Sequence, residues 1–140
     1  MTTKPSHKPV PVPDDLTQPF WEAVNSRRLA IQRCQACKRY HHPPAGICID
    51  CLSTNLAFEP VSGLGRIYTF TVTHDARQPA FDAIIPYAIA MVELDEQPGL
   101  FMLSHILGTP PEQVKHGLRV RVDFEEIIAG HCIPQFRVVR

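Results

Sequence analysis

Two cysteine pairs with the same internal spacing constrain this chain more than any other feature of its sequence. Cys34 and Cys37 form the first C-x-x-C pair, Cys48 and Cys51 form the second, and ten residues lie between the pairs. Each C-x-x-C turn can aim two sulfur atoms at one ion, and two such turns complete a tetrahedral shell of four sulfurs. The spacing therefore predicts a metal site made by these four cysteines.

We predict that the site holds one structural Zn²⁺ per chain. Iron can occupy the same geometry, as in rubredoxins, but the sequence offers neither an aromatic shelter nor an electron-transfer partner for it. Four protein ligands leave no position for water or substrate, so the ion is expected to hold its lobe together. His41 and His42 lie between the pairs and could replace a lost cysteine, although a solvated or packing histidine pair is the favoured interpretation.

The segments around the cysteines predict a zinc ribbon that follows a helix. The N-terminal segment contains four prolines and almost no bulky apolar side chains, which predicts an extended arm, either loose or wrapped around a partner. A helix is predicted from Pro19 to near Arg28, where apolar side chains recur at helical spacing. Short alternating segments before and after the cysteine pairs predict the strands of the ribbon.

Five strands and one short helix are predicted after the ribbon. In the first strand Tyr68, Phe70 and Val72 share one face and are expected to point into the core. Between the third and fourth strands, Thr109 and Glu112 form a capping-box pattern that predicts a short helix. Three strands, a helix and two strands follow the order of an OB-fold, a small Greek-key barrel, and a five-stranded open sheet is the alternative.

The chain is therefore predicted to be mainly β, with an N-terminal helix, a rubredoxin-like zinc ribbon and a five-stranded OB-fold barrel. The 140 residues suffice for one ordinary domain or for two small modules. The predicted boundaries are an extended Pro-rich arm over 1–18, the helix plus zinc ribbon over 19–61 and the OB-fold over 62–140.

Charge and hydropathy narrow the possible partners and location. The chain has 14 basic and 14 acidic side chains, so it lacks the positive charge that usually drives nucleic-acid binding. No apolar run approaches the ~20 residues of a spanning helix, and the first residues do not resemble a secretory signal. We expect a soluble cytoplasmic protein, in which cysteines are ligands rather than disulfides.

No catalytic residue is predicted, but two regions are candidates for ligand or partner contact. The 74–87 segment is a long connection for a tight barrel, and it is either a binding loop or a packed Ω-loop. Basic side chains near the fourth strand could meet phosphates, or could form a solvated face. Cys132 shares a face with Phe136 and is expected to be a buried, inert thiol. The candidate contact residues are His74, Arg77, Phe81, Tyr87, Lys115, Arg119 and Arg121.

Several longer motifs carry a family resemblance. They are PFWEAVNSRRLAIQRCQACKRYHHPPAGICIDC, FEPVSGLGRIYTFTVTH, IPYAIAMVELDE and HGLRVRVDFE. Together they resemble the bacterial and archaeal family of zinc-ribbon plus OB-fold proteins associated with acyl-CoA enzymes, over about residues 19–138. The four paired cysteines match the zinc ligands of that family. Lys38 and Leu52 depart from its pattern, because glycine or another small residue is frequent after each pair.

The resemblance implies a function that the spacing alone does not give. Such proteins pair with thiolase-like enzymes, including aldolases and acyltransferases, or with hot-dog-fold hydratases, and they help to bind acyl-CoA and to hold the complex together. We therefore expect a non-catalytic accessory subunit of a thiolase-type acyl-CoA enzyme complex, with the catalytic groups in the partner. The loop before Tyr87 is the expected place of partner and acyl-CoA contact.

A single-stranded nucleic-acid-binding module is the alternative function. Both OB-folds and zinc ribbons can bind single strands through stacked aromatic side chains in a basic groove. The balanced charge disfavours this role, and so does the expectation that Tyr68 and Phe70 face the core. A stand-alone hydrolase is disfavoured because no nucleophile and base are recognisable together.

Overall fold

The computed structural model describes residues 7–140 and is built mainly of β-strands. A three-stranded antiparallel sheet in the order β2-β1-β3 precedes a closed barrel in the order β4-β5-β6-β8-β7. These arrangements confirm the predicted mainly β fold with a helix, a ribbon and a closed barrel. The elements are α1 (Gln18–Asn25), β1 (Ala30–Cys34), β2 (Tyr40–His41), β3 (Leu56–Pro60), β4 (Leu64–Thr73), α2 (Pro79–Asp82), β5 (Tyr87–Leu94), β6 (Phe101–Leu107), a 3₁₀ turn (Pro111–Gln113), β7 (Arg119–Ile128) and β8 (His131–Val138).

The barrel closes through one parallel and four antiparallel pairings. β4 pairs with β5 and β7, and β5 pairs with β6, all in antiparallel register. β7 and β8 form an antiparallel hairpin, and β8 reaches β6 through the parallel pair Ile106 with Phe136. These closing contacts are short, with three residue pairs between β4 and β7 and two between β6 and β8, as is typical of the partly open barrel of an OB-fold.

One hydrophobic cluster joins the ribbon side of the molecule to the barrel. It includes Val24 of α1 and Ile31 of β1, and it continues to Ile67 and Phe136 of the barrel, all four with no exposed surface. α1 contacts both β1 and β8, so it lies between the two sheets. The helix therefore fixes the ribbon against the barrel through shared apolar packing.

The end of α1 has a physical cause that the sequence pattern did not reveal. The helix ends at Asn25, three residues before the predicted position near Arg28, because Arg27 adopts a left-handed φ of 58°. The N–H of Arg28 donates to the carbonyl of Ala23, and the N–H of Arg27 donates to that of Val24, each at 2.9 Å. These two hydrogen bonds are those of a Schellman motif.

The prediction that Tyr68, Phe70 and Val72 point into the core is wrong for Tyr68, whereas Phe70 and Val72 share a face with the buried Ala90 and Ala88 that they pair with but are not buried themselves. Ile67 is the buried residue, whereas the exposed fractions are 49% for Tyr68 and 37% for Phe70, and Val72 is half-buried. A β-bulge between Ile67 and Thr69 shifts the register, and the Tyr68 ring packs on Phe101 with 5.0 Å between centroids. Both faces of β4 carry β-forming residues, so alternation alone could not identify the inner face.

The short helix predicted between the third and fourth barrel strands is a single 3₁₀ turn, Pro111–Gln113. The Thr109–Glu112 capping box does not form, because Pro110 is extended (ψ 144°) and no side chain caps the turn. A residue that precedes proline is disfavoured in the helical region, and two successive prolines apply this restriction twice. Val114 then enters the core with 3% of its surface exposed.

The barrel's first strand requires glycine at Gly65. A Cβ atom at this position would lie 2.5 Å from the carbonyl oxygen of Glu93 on β5. The close approach of the two backbones explains why glycine occupies the second position of β4. Within the described part of the chain, no helix has the length and apolar character needed to cross a membrane.

Candidate metal centre and apolar cleft

The four paired cysteines converge at one end of the ribbon. Cys34 ends β1, and all four Sγ atoms lie within 4.8 Å of one another. The Cys34–Cys51 and Cys37–Cys48 sulfur separations are both 3.6 Å. Tetrahedral zinc with a Zn–S distance of about 2.3 Å requires sulfur atoms about 3.8 Å apart, so the donor set fits one structural Zn²⁺.

The two cysteine turns have the same backbone geometry. Lys38 and Leu52, the residues after each pair, have left-handed φ values of 67° and 64°. The N–H of Lys38 donates to the carbonyl of Cys34, and the N–H of Leu52 donates to that of Cys48, both at 2.9 Å. Only glycine adopts this conformation at little cost, so glycine suits these positions, and Lys38 and Leu52 hold a strained backbone there.

Backbone groups prepare the first cysteine for metal binding. The N–H of Cys37 lies 3.4 Å from the Cys34 sulfur. This hydrogen bond is the main reason that the pKa of the Cys34 thiol is lowered to about 6. Because the thiolate is the form that binds metals, Cys34 is suited to act as a ligand at neutral pH.

The two histidines between the cysteine pairs have different surroundings. His41 is buried, and its Nε2 lies 3.2 Å from the Cys48 sulfur, which places it directly against the metal centre. His42 packs on the Phe20 ring with 5.3 Å between centroids, and burial lowers its pKa. The favoured prediction of a packing pair thus describes His42, whereas the contact of His41 with a ligand sulfur is closer to the alternative that these histidines lie near enough to replace a cysteine.

A cleft of about 620 Å³ lies where the N-terminal arm, α1, the ribbon and the barrel meet. Its walls are mostly apolar and include six aromatic or imidazole rings. Phe81 of α2 stacks on Tyr87 of β5, with ring centroids 6.1 Å apart. The rings in the walls are Phe20, Trp21, His42, Phe81, Tyr87 and His105.

The charged groups at the cleft are already paired. Lys8 Nζ donates to both carboxylate oxygens of Glu125, at 2.7 and 2.9 Å, and only 11% of the lysine side chain is exposed. Gln135 Nε2 donates to the same carboxylate at 3.0 Å. Gln135 Oε1 accepts from the Ser104 hydroxyl and from the N–H of His105. Lys8 is the charged side chain in the lining, and its charge is balanced by Glu125, which itself does not line the cleft.

His105 of β6 is the exception in this network. Its Nδ1 is buried and has no hydrogen-bond partner among residues 7–140, and its ring lies 4.9 Å from that of Tyr87. Burial and the nearby Lys8 charge hold the pKa of His105 below 6.5. Both effects favour the neutral imidazole, which can either donate or accept at Nδ1 depending on its tautomer.

The structure separates the contact residues that the sequence predicted. Phe81 and Tyr87 line the cleft, whereas His74 and Arg77 are exposed in the loop before α2 and do not line it. Arg119 forms a bidentate ion pair with Asp95, with N–O distances of 2.7 and 2.6 Å, so its guanidinium is already paired. Lys115 and Arg121 are exposed and lie outside the cleft.

Several residues of the cleft were missed from the sequence. Lys8, Glu125 and Gln135 come from distant parts of the chain, and nothing in their local patterns indicates that they meet. His105 did carry a signal, because it interrupts the otherwise apolar strand LFMLSHIL. A polar ring within an apolar strand is worth considering as a site residue.

Comparison with known families identifies both modules. Residues 21–57 match the model of the rubredoxin-like zinc ribbon domain of ChsH2, and residues 58–125 match that of its C-terminal OB-fold domain. These matches confirm the zinc ribbon and the OB-fold barrel.

Individual relatives show the same architecture. A probable enoyl-CoA hydratase alpha subunit of Thermomonospora curvata is 38% identical over 119 residues, which cover 84% of this chain and 36% of that protein. A DUF35 domain-containing scaffold protein of Methanocaldococcus jannaschii is 32% identical over 81% of this chain and 80% of its own length. The chain thus spans about a third of the hydratase subunit but most of the scaffold protein.

A solved structure is also similar over its whole length. It is described as an Ltp2-ChsH2(DUF35) aldolase, and it superposes with a TM-score of 0.83 at 34% identity. The match covers 91% of this chain and 98% of that one.

Proposed function

This chain belongs to the ChsH2 and DUF35 family of zinc-ribbon plus OB-fold proteins, and from that membership we propose that it is a non-catalytic accessory subunit of a thiolase-type acyl-CoA enzyme complex. In this role it helps to bind acyl-CoA and holds the complex together, while the partner supplies the catalytic groups. The similarity to the Ltp2-ChsH2(DUF35) aldolase carries the proposal. The name of that structure gives two components, and the chain that resembles this protein is covered over 98% of its length.

The outer face of the barrel supports a role in assembly. The exposed fractions there are 70% for Leu103 on β6 and 49% for Tyr68 on β4. Leu103 is paired with Met91 of β5, and Met91 is paired with Thr69 of β4, so these strands form one continuous surface. Exposed apolar surface of this kind is typical of a face that a partner protein covers.

The proposed acyl-CoA contacts are the exposed basic groups of the predicted set. Arg77, Lys115 and Arg121 are free to meet the phosphates of the coenzyme, because within residues 7–140 none of them is in an ion pair. Arg119 is a weaker candidate, since a phosphate would have to displace Asp95. His74 is exposed beside Arg77 in the same loop and is proposed to lie at the edge of this contact.

The proposal is tested by native mass spectrometry of the tagged, zinc-loaded chain purified at low salt from its own source. We expect a hetero-oligomer with a thiolase-sized subunit. A Leu103→Glu variant should lose that subunit but keep its zinc. Val12→Glu, at a side chain that is 91% exposed on the arm, is the matched control and should keep the partner.

Two results would contradict the proposal. One is a zinc-bound monomer from every preparation, with acyl-CoA activity eluting elsewhere. The other is equal partner recovery with Leu103→Glu and Val12→Glu, which would remove the barrel face from the interface. A hydratase-sized subunit in place of a thiolase would retain the accessory role and correct the type of partner.

Single-stranded nucleic-acid binding is a second candidate, favoured by one observation. Tyr68 and Phe70 are exposed rather than buried, so two aromatic rings on β4 are accessible for base stacking. The balanced charge still argues against it. Salt-sensitive binding of a labelled oligonucleotide that Tyr68→Ala weakens would favour this role over the accessory one.

A further inference from the structure

His41 of β2 lies directly against the metal centre. Its Nε2 is 3.2 Å from the Cys48 sulfur, and only 8% of the residue is exposed. A metal-bound cysteine is a thiolate, which accepts hydrogen bonds and has no proton to donate. In the zinc-loaded chain the proton between these two atoms therefore belongs to His41 Nε2, which makes Nδ1 the unprotonated nitrogen whenever the ring is neutral.

The two cysteine turns differ in how a hydrogen bond reaches their first sulfur. In the first turn the backbone N–H of Cys37 lies 3.4 Å from the Cys34 sulfur. Among residues 7–140 the N–H of Cys51 makes no corresponding hydrogen bond to the Cys48 sulfur, although the carbonyls of Cys34 and Cys48 accept matching bonds at 2.9 Å. The His41 side chain thus provides at Cys48 what the backbone provides at Cys34.

Two glutamine side chains hold the segment that carries His41. His41 is paired in register with Gln32 of β1, which is buried. The Gln32 side chain accepts from the N–H of Ala45 and donates to its carbonyl, both at 2.8 Å. Gln97, between β5 and β6, accepts from the N–H of Tyr40 at 2.9 Å and donates to its carbonyl at 3.1 Å. These contacts fix the backbone before and after His41, which limits the directions that its ring can take.

The geometry disfavours direct metal binding by His41. A nitrogen and a sulfur that bind one tetrahedral zinc are about 3.6 Å apart, because the Zn–N and Zn–S distances are about 2.1 and about 2.3 Å. The observed separation of 3.2 Å is shorter and suits a hydrogen bond. A second ion held by His41, Cys48 and Asp50 is also disfavoured, because the Asp50 carboxylate is paired with Arg39 at 2.9 Å.

We propose that His41 is a positioning residue for the metal centre, and that its Nε2–H donates a hydrogen bond to the zinc-bound Cys48 thiolate. Four thiolates outweigh the charge of one Zn²⁺, so the loaded centre is anionic. Cys34 and Cys48 are both buried, and a donor at each of these sulfurs offsets part of the charge where water does not reach it. The hydrogen bond lies within this chain and goes beyond the proposed accessory function, so either can fail without the other.

The hydrogen bond is tested directly by NMR of the full chain loaded with ¹¹³Cd²⁺, a soft ion that replaces zinc at thiolate sites. We expect His41 in the tautomer with its proton on Nε2, and a scalar coupling between that proton and ¹¹³Cd through the Cys48 sulfur. A ring that only packs against the centre would give no such coupling. A ¹¹³Cd shift typical of three sulfurs and one nitrogen would make His41 a ligand instead and would overturn the proposal.

Zinc affinity is measured by competition between the full chain and a chelator. His41→Phe keeps a ring in the same space but removes the donor, so it should weaken zinc binding by about 10-fold to 100-fold, as loss of an outer partner of a metal ligand does. His41→Gln, whose amide N–H can take the place of Nε2–H, should restore most of the affinity. His42→Phe, at the neighbouring ring that packs on Phe20, is the matched control and should bind zinc like wild type.

Three further results would overturn the proposal. The first is a His41 proton on Nδ1 in the metal-loaded chain, or no coupling of Nε2–H to ¹¹³Cd. The second is equal zinc affinity in wild type and His41→Phe. The third is His41→Gln binding zinc no more tightly than His41→Phe, since that would assign the loss to packing. If His41→Phe does not fold, as judged by circular dichroism, the NMR measurement on the wild-type chain decides.

Discussion

Lys8 Nζ lies 2.7 Å from Glu125 Oε1, although 117 residues separate them along the chain. The contact attaches the N-terminal arm to the outside of β7, and both side chains are largely removed from water. The described part of the predicted extended arm therefore has a fixed place on the barrel. The ion pair is also the reason that the cleft wall formed by the arm carries no net charge.

Removal of Lys8 is expected to release the arm. Lys8→Met leaves the Glu125 carboxylate partly buried and unpaired, which should lower the free energy of unfolding by about 1–2 kcal/mol, less than for a fully buried pair. Limited proteolysis should then cut the arm faster. Adding Glu125→Gln should restore most of the stability, and Lys115→Met at an exposed position should change neither readout. Equal cleavage of wild type and Lys8→Met would contradict the anchoring role.

Zinc removal is expected to destabilise the barrel as well as the ribbon. Structural zinc contributes on the order of 10 kcal/mol to small domains, and the hydrophobic cluster of this chain is shared by α1, β1 and the barrel. Cys51→Ser should fail to bind the zinc ion, which native mass spectrometry would show, and should lower the thermal midpoint of the whole chain. Cys132→Ala, at a buried thiol outside the metal cluster, should keep its zinc.

Glycine after each cysteine pair should stabilise the protein. Lys38 and Leu52 have left-handed backbones, a conformation that costs a side-chain-bearing residue about 1–2 kcal/mol. Glycine removes this strain but gains entropy in the unfolded chain, so a net increase of about 0.5–1 kcal/mol per site is expected. Thermal denaturation of zinc-loaded Leu52→Gly measures it. Lys115→Gly, at an exposed residue without positive φ, should be neutral or destabilising.

Charge reversal should distinguish the two arginines of β7. Arg121→Glu is expected to raise the KM of the assembled complex for acyl-CoA several-fold, because the exposed guanidinium is free to meet a phosphate. Arg119→Glu should act mainly on stability, since it breaks the two-pronged pair with Asp95 and places two carboxylates together. Unchanged KM in Arg121→Glu, Lys115→Glu and Arg77→Glu would remove these residues from the proposed coenzyme contact.

The stability of the chain is expected to fall in mild acid through His105. Burial lowers the pKa of this imidazole below 6.5, the Lys8 charge adds to the effect and Glu125 opposes it. As the pH falls, the unfolded state therefore binds a proton at this histidine before the folded state does. The free energy of unfolding then decreases below pH 6.5, by less than about 1.4 kcal/mol per pH unit.

Urea denaturation at a series of pH values measures this loss. His105→Phe should flatten the profile below pH 6.5 in part, because the pKa of His42 at the same cleft is also lowered by burial. His131→Phe, at an exposed histidine, should leave the profile unchanged. An identical slope in wild type and His105→Phe would contradict the role of His105.

The metal site was predictable because its information is local. Cys34 and Cys37 lie on one turn and Cys48 and Cys51 on another, so spacing alone determines that two sulfurs point the same way. The barrel was predictable from the order of its strands and turns. The inner face of β4 was not predictable. A β-bulge between Ile67 and Thr69 changes the set of alternating side chains that faces inward partway along the strand.

The cleft was not predictable because its parts are far apart along the chain. Lys8 and Glu125 meet only after the barrel has closed, and Gln135 joins them from the neighbouring strand. The orphaned nitrogen of His105 depends on the positions of all its neighbours, which no local pattern contains. Of the predicted contact residues, only Phe81 and Tyr87 reach this cleft.

The apolar core that runs from Val24 and Ile31 to Phe136 also bears on how the unit is used in larger proteins. A cut between ribbon and barrel would expose apolar surface on both sides, so the two modules are not separable parts for protein engineering. The hydratase subunit matches 84% of this chain, ribbon and barrel included, within about a third of its own length. Because they share one hydrophobic core, the ribbon and the barrel should be moved between proteins together as one folding unit.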